Sequence, residues 1–258
     1  MIRLTLHQSR YDLRAFVRNR QSQFFTLALP VLFLVIFASV FGGRGDTTQV
    51  PGGRISTSVY YVPGIIALGI IAACFGNLVA SVTAQRERGV LKRRRATPVP
   101  AATVIAGRVV TAVVIAVVMT AVLLGIGWAA YGAHVPARTA LAFAVTVVTG
   151  AASFCCLGYA LTTFIRDEDA ALPTATAVTL PLYFISGVFV AVPALPHWLA
   201  DVGEIFPIRH LADALLVAYN PHTTGLGLAG PDLFIVAAWG AAGLFVALRT
   251  FSWQPLGR

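Results

Sequence analysis

The densest chemistry in the sequence lies between residues 85 and 100, QRERGVLKRRRATPVP. Four consecutive basic residues, Lys92, Arg93, Arg94 and Arg95, follow Arg86-Glu87-Arg88-Gly89. Guanidinium groups in such a run suit phosphates and carboxylates. Val90 and Leu91 are apolar residues in an otherwise charged segment, suited to fill a pocket on a partner. Glu87 can accept hydrogen bonds or pair with a basic group, either there or on a neighbouring arginine. Pro98 and Pro100 stop a helix before the next apolar stretch. This is the chemistry of binding rather than catalysis. His197, Asp201, His210 and Asp213 are metal-ligand types, but their spacing fits no metal motif. Cys74, Cys155 and Cys156 sit in apolar stretches without regular spacing and read as packing residues. The one lysine, Lys92, lies between Leu91 and Arg93, so no G-x-x-x-x-G-K-[ST] loop exists to hold ATP.

The elements that must position these residues are set by composition. The chain has 258 residues, of which 57% are hydrophobic and 11% charged, with a mean hydropathy of +0.79. A soluble domain carries about 25% charged residues, so this is an integral membrane protein. The net charge of +9 reflects arginines facing anionic lipid rather than nucleic acid, for which no binding motif is present. A crossing helix needs about 20 apolar residues. Six apolar runs qualify: 24–42, 60–83, 106–130, 140–164, 170–192 and a shorter one at 231–248. The expected class is an all-α membrane protein formed as a single transmembrane domain over 1–258. The run at 24–42 is too long, and too far from the N-terminus, for a cleaved leader, and is expected to be retained. In residues 1–23, Ile2, Leu6, Leu13, Phe16 and Val17 share one helical face while Arg3, His7, Arg10, Arg14 and Arg18 share another. Such a helix lies in the membrane interface; the alternative is a frayed basic tail.

Lys and Arg near the span ends set orientation. Arg3, Arg10, Arg14, Arg18, Arg20, Arg86, Arg88, the four-residue run, Arg108, Arg166, Arg249 and Arg258 fall on one side. Arg44, Arg54, Arg138 and Arg209 fall on the other. Both termini and the loop at 84–98 are therefore expected in the cytoplasm, with 43–58 and 193–230 outside. The first five spans hold no charged residue except Arg108 at a cytoplasmic end, and all five histidines lie outside all six. That removes a proton relay and an intramembrane enzyme. Asp167, Glu168 and Asp169 are placed to favour the start of the fifth span as acids at a helix N-terminus, or to meet the basic run.

Residues 193–230 carry two short amphipathic pieces. Leu195, Trp198, Leu199, Val202, Ile205 and Phe206 repeat at helical spacing opposite His197, Asp201 and Glu204. Pro207 interrupts, and Ile208, Leu211, Leu215 and Tyr219 form a second face opposite Arg209, His210 and Asp213. Pieces too short to span would dip into the outer leaflet and return, covered by the fifth and sixth spans. The expectation is an outer gate built on Trp198, Leu199, Val202, Phe206 and Pro207; the alternative is a hairpin lying flat on the membrane.

With these residues in view, QRERGVLKRRRATPVPAA resembles the cytoplasmic loop of ABC-2 type transporter permeases. Arg86, Glu87, Arg88, Gly89, Val90, Leu91, Thr97 and Pro98 align with its motif. Gln85, Val90 and Arg94 depart from it. Residues 180–215 are similar to the daunorubicin-resistance type of drug and antibiotic efflux permease, through Ser-Gly-x-Phe and Pro-x-Trp-Leu. The resemblance implies a coupling helix seated in a separate soluble ATPase subunit, which would bind the ATP and magnesium while this chain binds no cofactor. It also implies a second copy, or a related permease, completing the pathway. Small-residue stretches at Gly64 to Gly69 and Gly150 to Gly158 allow close helix contacts, including contacts between copies. The implied activity is outward movement of an amphiphilic drug, antibiotic or lipid-like substrate, for which an uncharged lining is suited. The rival reading is a membrane scaffold or sensor that recruits a soluble protein without transport. The bias toward Arg, Ala and Val points to the cytoplasmic membrane of a GC-rich bacterium.

Orientation is directly testable. Cysteines placed singly at Thr48 and Arg94 should label oppositely with an impermeant thiol reagent in intact cells, Thr48 reacting and Arg94 protected. Equal labelling would reverse the charge argument.

Overall fold

The computed structural model describes residues 9–14, 17–18, 20–41, 46–91, 101–132, 135–190, 192 and 195–250. Its helices are α1 (Arg20–Val40), α2 (Thr57–Glu87), α3 (Ala101–Tyr131), α4 (Ala140–Thr162), α5 (Glu168–Ile185), α6 (His197–Gly203), α7 (Pro207–Tyr219) and α8 (Gly230–Thr250). Four of these stretches are long and apolar enough to cross a membrane: Thr57–Glu87, Thr103–Tyr131, Ala137–Thr162 and Gly230–Thr250. A shorter apolar helix covers Thr26–Val40. The last crossing segment has 21 residues and is not short.

The helices arrange around α2. Of its apolar window 72% is buried, against 22% for α8, so α2 is the centre and α8 a peripheral helix. From Tyr60 to Ile71 every residue of α2 is buried, the mark of a helix that is apolar all round. It is enclosed by α1, α3, α4 and α7, and its lower half also meets α5. α1 shows a narrower signature. Thr26, Pro30, Leu34 and Ala38 are buried at four-residue spacing, while Leu29, Leu32, Val35 and Ile36 are exposed. One stripe packs on protein and the rest suits lipid. Polar side chains are spent between helices: the Asn77 amide donates to Thr26 Oγ1 at 2.7 Å, a contact that joins α2 to α1.

Three expectations change. The all-α description omits an antiparallel hairpin, β1 (Thr47–Val50) with β2 (Gly53–Ser56), register Val50↔Gly53. Its turn is Pro51-Gly52, with Gly52 at φ 88°, a conformation glycine adopts without a Cβ clash. The fifth apolar run was expected to stay helical to residue 192, but α5 stops at Ile185. Gly187 has φ 80°, and the Phe189 amide turns back to the Tyr183 carbonyl at 3.3 Å. The loop set at 84–98 begins later, because α2 continues through Glu87; residues 92–100, including the four-residue basic run, Thr97 and Pro98, lie outside the described residues.

The small-residue stretches serve contacts inside the chain. A Cβ on Gly150 would stand 2.6 Å from Leu211 Cδ1, and one on Gly64 would stand 3.3 Å from the Val188 carbonyl. Gly158 faces the Phe75 carbonyl, where α2 contains a π-helical turn over Ala72–Gly76. Another close backbone approach joins α4 and α8. A Cβ on Gly240 would lie 2.8 Å from Ser153 Cα, and one on Gly243 would lie 2.9 Å from the Leu157 nitrogen. Backbone cannot swing aside as a side-chain tip does, so overpacking here should cost about 1–3 kcal/mol. Gly243→Ala is therefore expected to lower the thermal unfolding temperature of the purified protein. Gly125→Ala, in α3 with nothing within 4 Å of the new Cβ, should be neutral or gain up to about 1 kcal/mol from helix propensity.

Candidate functional site

A helix of 31 residues at 1.5 Å per residue is about 46 Å long, so the two ends of α2 lie at opposite ends of the molecule. The end at Glu87 carries the charged motif. Arg86 is 2% exposed. Its guanidinium donates to the Thr162 carbonyl at 2.8 Å, to the Ile165 carbonyl, and to the Arg166 carbonyl at 3.5 Å. These are carbonyls at and beyond the end of α4, which the helix itself leaves without N–H partners. A cation also complements the negative end of α4. Arg86 thus holds the α4–α5 corner to α2 and does not face outward.

The neighbours divide between inside and outside. Leu91 is 3% exposed and joins the core. Val90 and Glu87 are half-buried, and Glu87 Oε1 has no hydrogen-bond partner among the described residues. Gly89, at φ 68°, ends the helix, with its amide on the Arg86 carbonyl at 3.1 Å; this is the left-handed position that follows many helices. Arg88 is exposed and pairs with Glu168 at 2.6 Å. Exposed pairs of this kind contribute about 0–1 kcal/mol, so its value is in orientation. Glu168 and Asp169 lie in the first turn of α5, whereas Asp167, at the N-cap, makes no side-chain capping bond. The acidic loop therefore both favours the helix start by charge and meets Arg88. Among the described residues of this turn Arg88 is exposed, and Glu87, Gly89 and Val90 are half-buried.

The N-terminal helical residues dock on α3 near this end. Asp12 and Arg108 approach to 3.4 Å and are both largely buried. Leu13 is half-buried, Val17 is 63% exposed, and Arg10, Arg14 and Arg18 are exposed. Residues 1–8 and Phe16 of the expected amphipathic faces lie outside the described residues.

At the other end, α7 buries the face read from sequence: Ile208, Leu211, Leu215 and Tyr219 are each at most 1% exposed. Pro207 is buried at the first turn of α7, where its missing N–H has no helical partner to lose. α7 packs on α2, α4 and α8. Its polar face is paired in part. Arg209 Nε donates to Asp213 Oδ2 at 2.5 Å. His210 Nδ1 meets Asp232 Oδ1 at 2.7 Å and His210 Nε2 meets the Glu204 carbonyl at 2.7 Å. Burial pushes the Asp213 carboxyl up, and Arg209 opposes that shift. His197, Asp201, His210 and Asp213 are not gathered: among the described residues no three His, Cys, Asp or Glu converge as metal ligands. Of the five gate residues, Phe206 stacks on Trp239 with ring centroids 6.5 Å apart, and Pro207 follows it into the core. Trp198 is 67% exposed and Val202 38%, while Leu199 is half-buried. α6 meets α5 through Gly203, whose Cβ would stand 2.5 Å from the Ile185 carbonyl. The five do not form one cluster.

The sequence reading missed the Arg86 clamp and the hairpin. Arg86 gives no local signal, because its acceptors lie about 80 residues away. The hairpin was detectable, since Pro-Gly sits between two short runs that contain β-branched residues.

Residues 6–220 match the sequence profile of the ABC-2 type transporter family. The chain is 27% identical over 155 residues to the probable multidrug ABC transporter permease YbhR of Escherichia coli (strain K12), covering 60% of this chain and 42% of that protein. It is 23% identical over 238 residues to the inner membrane transport permease YadH of the same strain, covering 90% of this chain and 88% of that protein. The alignment therefore spans less than half the length of YbhR but most of YadH. The Arg86 corner and the α6–α7 segment both fall within residues 6–220, and a match over that much of its length places this chain in the ABC-2 type transporter family.

Proposed function

We propose that the chain is the permease subunit of an ATP-driven exporter in a bacterial cytoplasmic membrane. In this reading a separate soluble ATPase subunit binds ATP and magnesium and docks on Glu87, Arg88, Gly89 and Val90. The cargo is an amphiphile of the drug, antibiotic or lipid class, in keeping with the printed descriptions of the relatives as multidrug and transport permeases. Six crossings are formed when α1 and α5 are added to the four long apolar helices, leaving both termini in the cytoplasm. The observation that carries the reading is the end of α2. There the central helix emerges, turns at Gly89 and is fastened by Arg86 and Arg88 to the α4–α5 corner. A push on this turn would reach three helices at once. The centre of the bundle is filled by Ile65, Ile66, Leu68 and Ile70, so the pathway lies between this chain and a second copy or a related permease.

Val90→Asp and Glu87→Ala should leave the protein in the membrane and folded, but abolish ATPase-subunit co-purification or its stimulated hydrolysis. An unpaired buried charge at Val90 would cost several kcal/mol at the interface. Wild-type activity in both variants would reduce the turn to an orientation signal and favour a scaffold.

Arg86 should behave differently. Arg86→Ala removes the donor to the α4 carbonyls, and unsatisfied buried acceptors cost about 1–3 kcal/mol each. The expected outcome is a lower unfolding temperature of the isolated permease, without any ATPase subunit present.

A further inference from the structure

The hairpin end contains a cleft of about 500 Å³ that the transport reading leaves unused. Its floor is α7, with Arg209, Asp213, Leu216 and Val217; Tyr60 of α2 forms a wall, and the Pro51 turn of the hairpin forms the roof. The roof is held in place. The Asn220 amide donates to the Pro51 carbonyl at 2.9 Å, and the His222 N–H donates to Asn220 Oδ1 at 3.0 Å. A cleft held open in this way is preformed, as small-ligand sites usually are.

The chemistry of the floor is specific. The Arg209 side chain is 11% exposed and gives only its Nε to Asp213. Its Nη1 is buried and has no partner among the described residues. Asp213 therefore holds the guanidinium at Nε, while Nη1 is left without an acceptor among the described residues. A planar fork presented this way matches an oxyanion. Arg138, which donates to the Pro221 carbonyl at 2.5 Å, puts a second cation beside the loop that lines the cleft. Val50, Val192, Leu216 and Val217 give the lining an apolar part, while Gln49, His222 and Thr223 are among its polar residues. A free hydrated anion would leave that surface unused, and a cationic head would meet Arg209 before a carboxylate already engaged.

We propose that this cleft binds the oxyanion head, phosphate or carboxylate, of a single-tailed amphiphile, with Arg209 as its anchor and the valine and leucine lining receiving the tail. The proposal rests on the transporter reading only for which face is external. Binding is measured on the permease alone, so failure of ATPase docking and failure of this site are separate results.

The test uses the full chain in phosphatidylcholine nanodiscs, titrated calorimetrically with octyl phosphate, octyltrimethylammonium and inorganic phosphate. Octyl phosphate should bind saturably at one site per chain. Charge-assisted contacts of this type are worth roughly tenfold or more in affinity, so Arg209→Gln should weaken binding by at least about that factor, and Arg209→Lys by less. Val217→Phe, which keeps the ion pair and fills the cleft, should abolish it. Should Arg209→Gln misfold because Asp213 is left alone, the paired variant Arg209→Gln/Asp213→Asn replaces it with the same expectation. The site is overturned by unchanged octyl phosphate affinity in the Arg209 or Val217 variants. It is equally overturned if octyltrimethylammonium or inorganic phosphate binds as tightly as octyl phosphate.

Discussion

From Tyr60 to Ile71 no side of α2 remains for lipid or water, and the rest of the architecture follows from enclosing it. An α-helix satisfies its own backbone, which is why helices can cross a bilayer at all. A helix apolar all round needs no particular neighbour, however, so what fixes its surroundings is shape. Glycines supply that shape by removing side chains, two of them on α2 itself. Gly64 admits the backbone at Val188, Gly69 admits Met119, and Gly150 admits Leu211. Between lipid-like surfaces there is little hydrophobic gain from association, so close van der Waals contact and a few polar bonds must hold helices together. Asn77 to Thr26 is one of those bonds, and the glycine approach of α8 to α4 is one of the close contacts.

The same constraint explains why charge is confined to the two ends. Arg86 sits at the last turn of α2 with three carbonyl acceptors. A buried guanidinium without acceptors would be expensive, and the frayed end of α4 is where free carbonyls occur. The carbonyls take the two terminal nitrogens of the arginine, Nε alone of the guanidinium being without a partner among the described residues, and the corner so formed joins α2, α4 and α5. The turn at Gly89 follows directly on that corner. At the opposite end α7 follows the same logic. Its apolar face is spent on α2, α4 and α8, and its charged face is paired through Arg209 with Asp213 and His210 with Asp232. Short helices at membrane depth are tolerated when protein covers them in this way.

Much was legible in the residues. Apolar runs marked the helices, because a crossing segment must be uncharged over a fixed length. The helical spacing of Ile208, Leu211, Leu215 and Tyr219 marked the buried face of α7, because a period near 3.6 puts those positions on one side. Each of these is a local property, carried by neighbours within a turn or two.

What tertiary structure decided is which partner each residue meets. Arg86 and Arg88 are two residues apart and look alike in the sequence, yet one is buried in backbone carbonyls and the other is exposed beside Glu168. Leu91 entered the core while Val90 stayed half out. Trp198 and Phe206 share a predicted face, but α6 ends at Gly203, and only Phe206 finds an aromatic partner, in Trp239. These outcomes depend on contacts between segments 30 to 80 residues apart in the chain. Spacing along the sequence determines which residues share a face of a helix; the packing of one helix on another determines what that face meets.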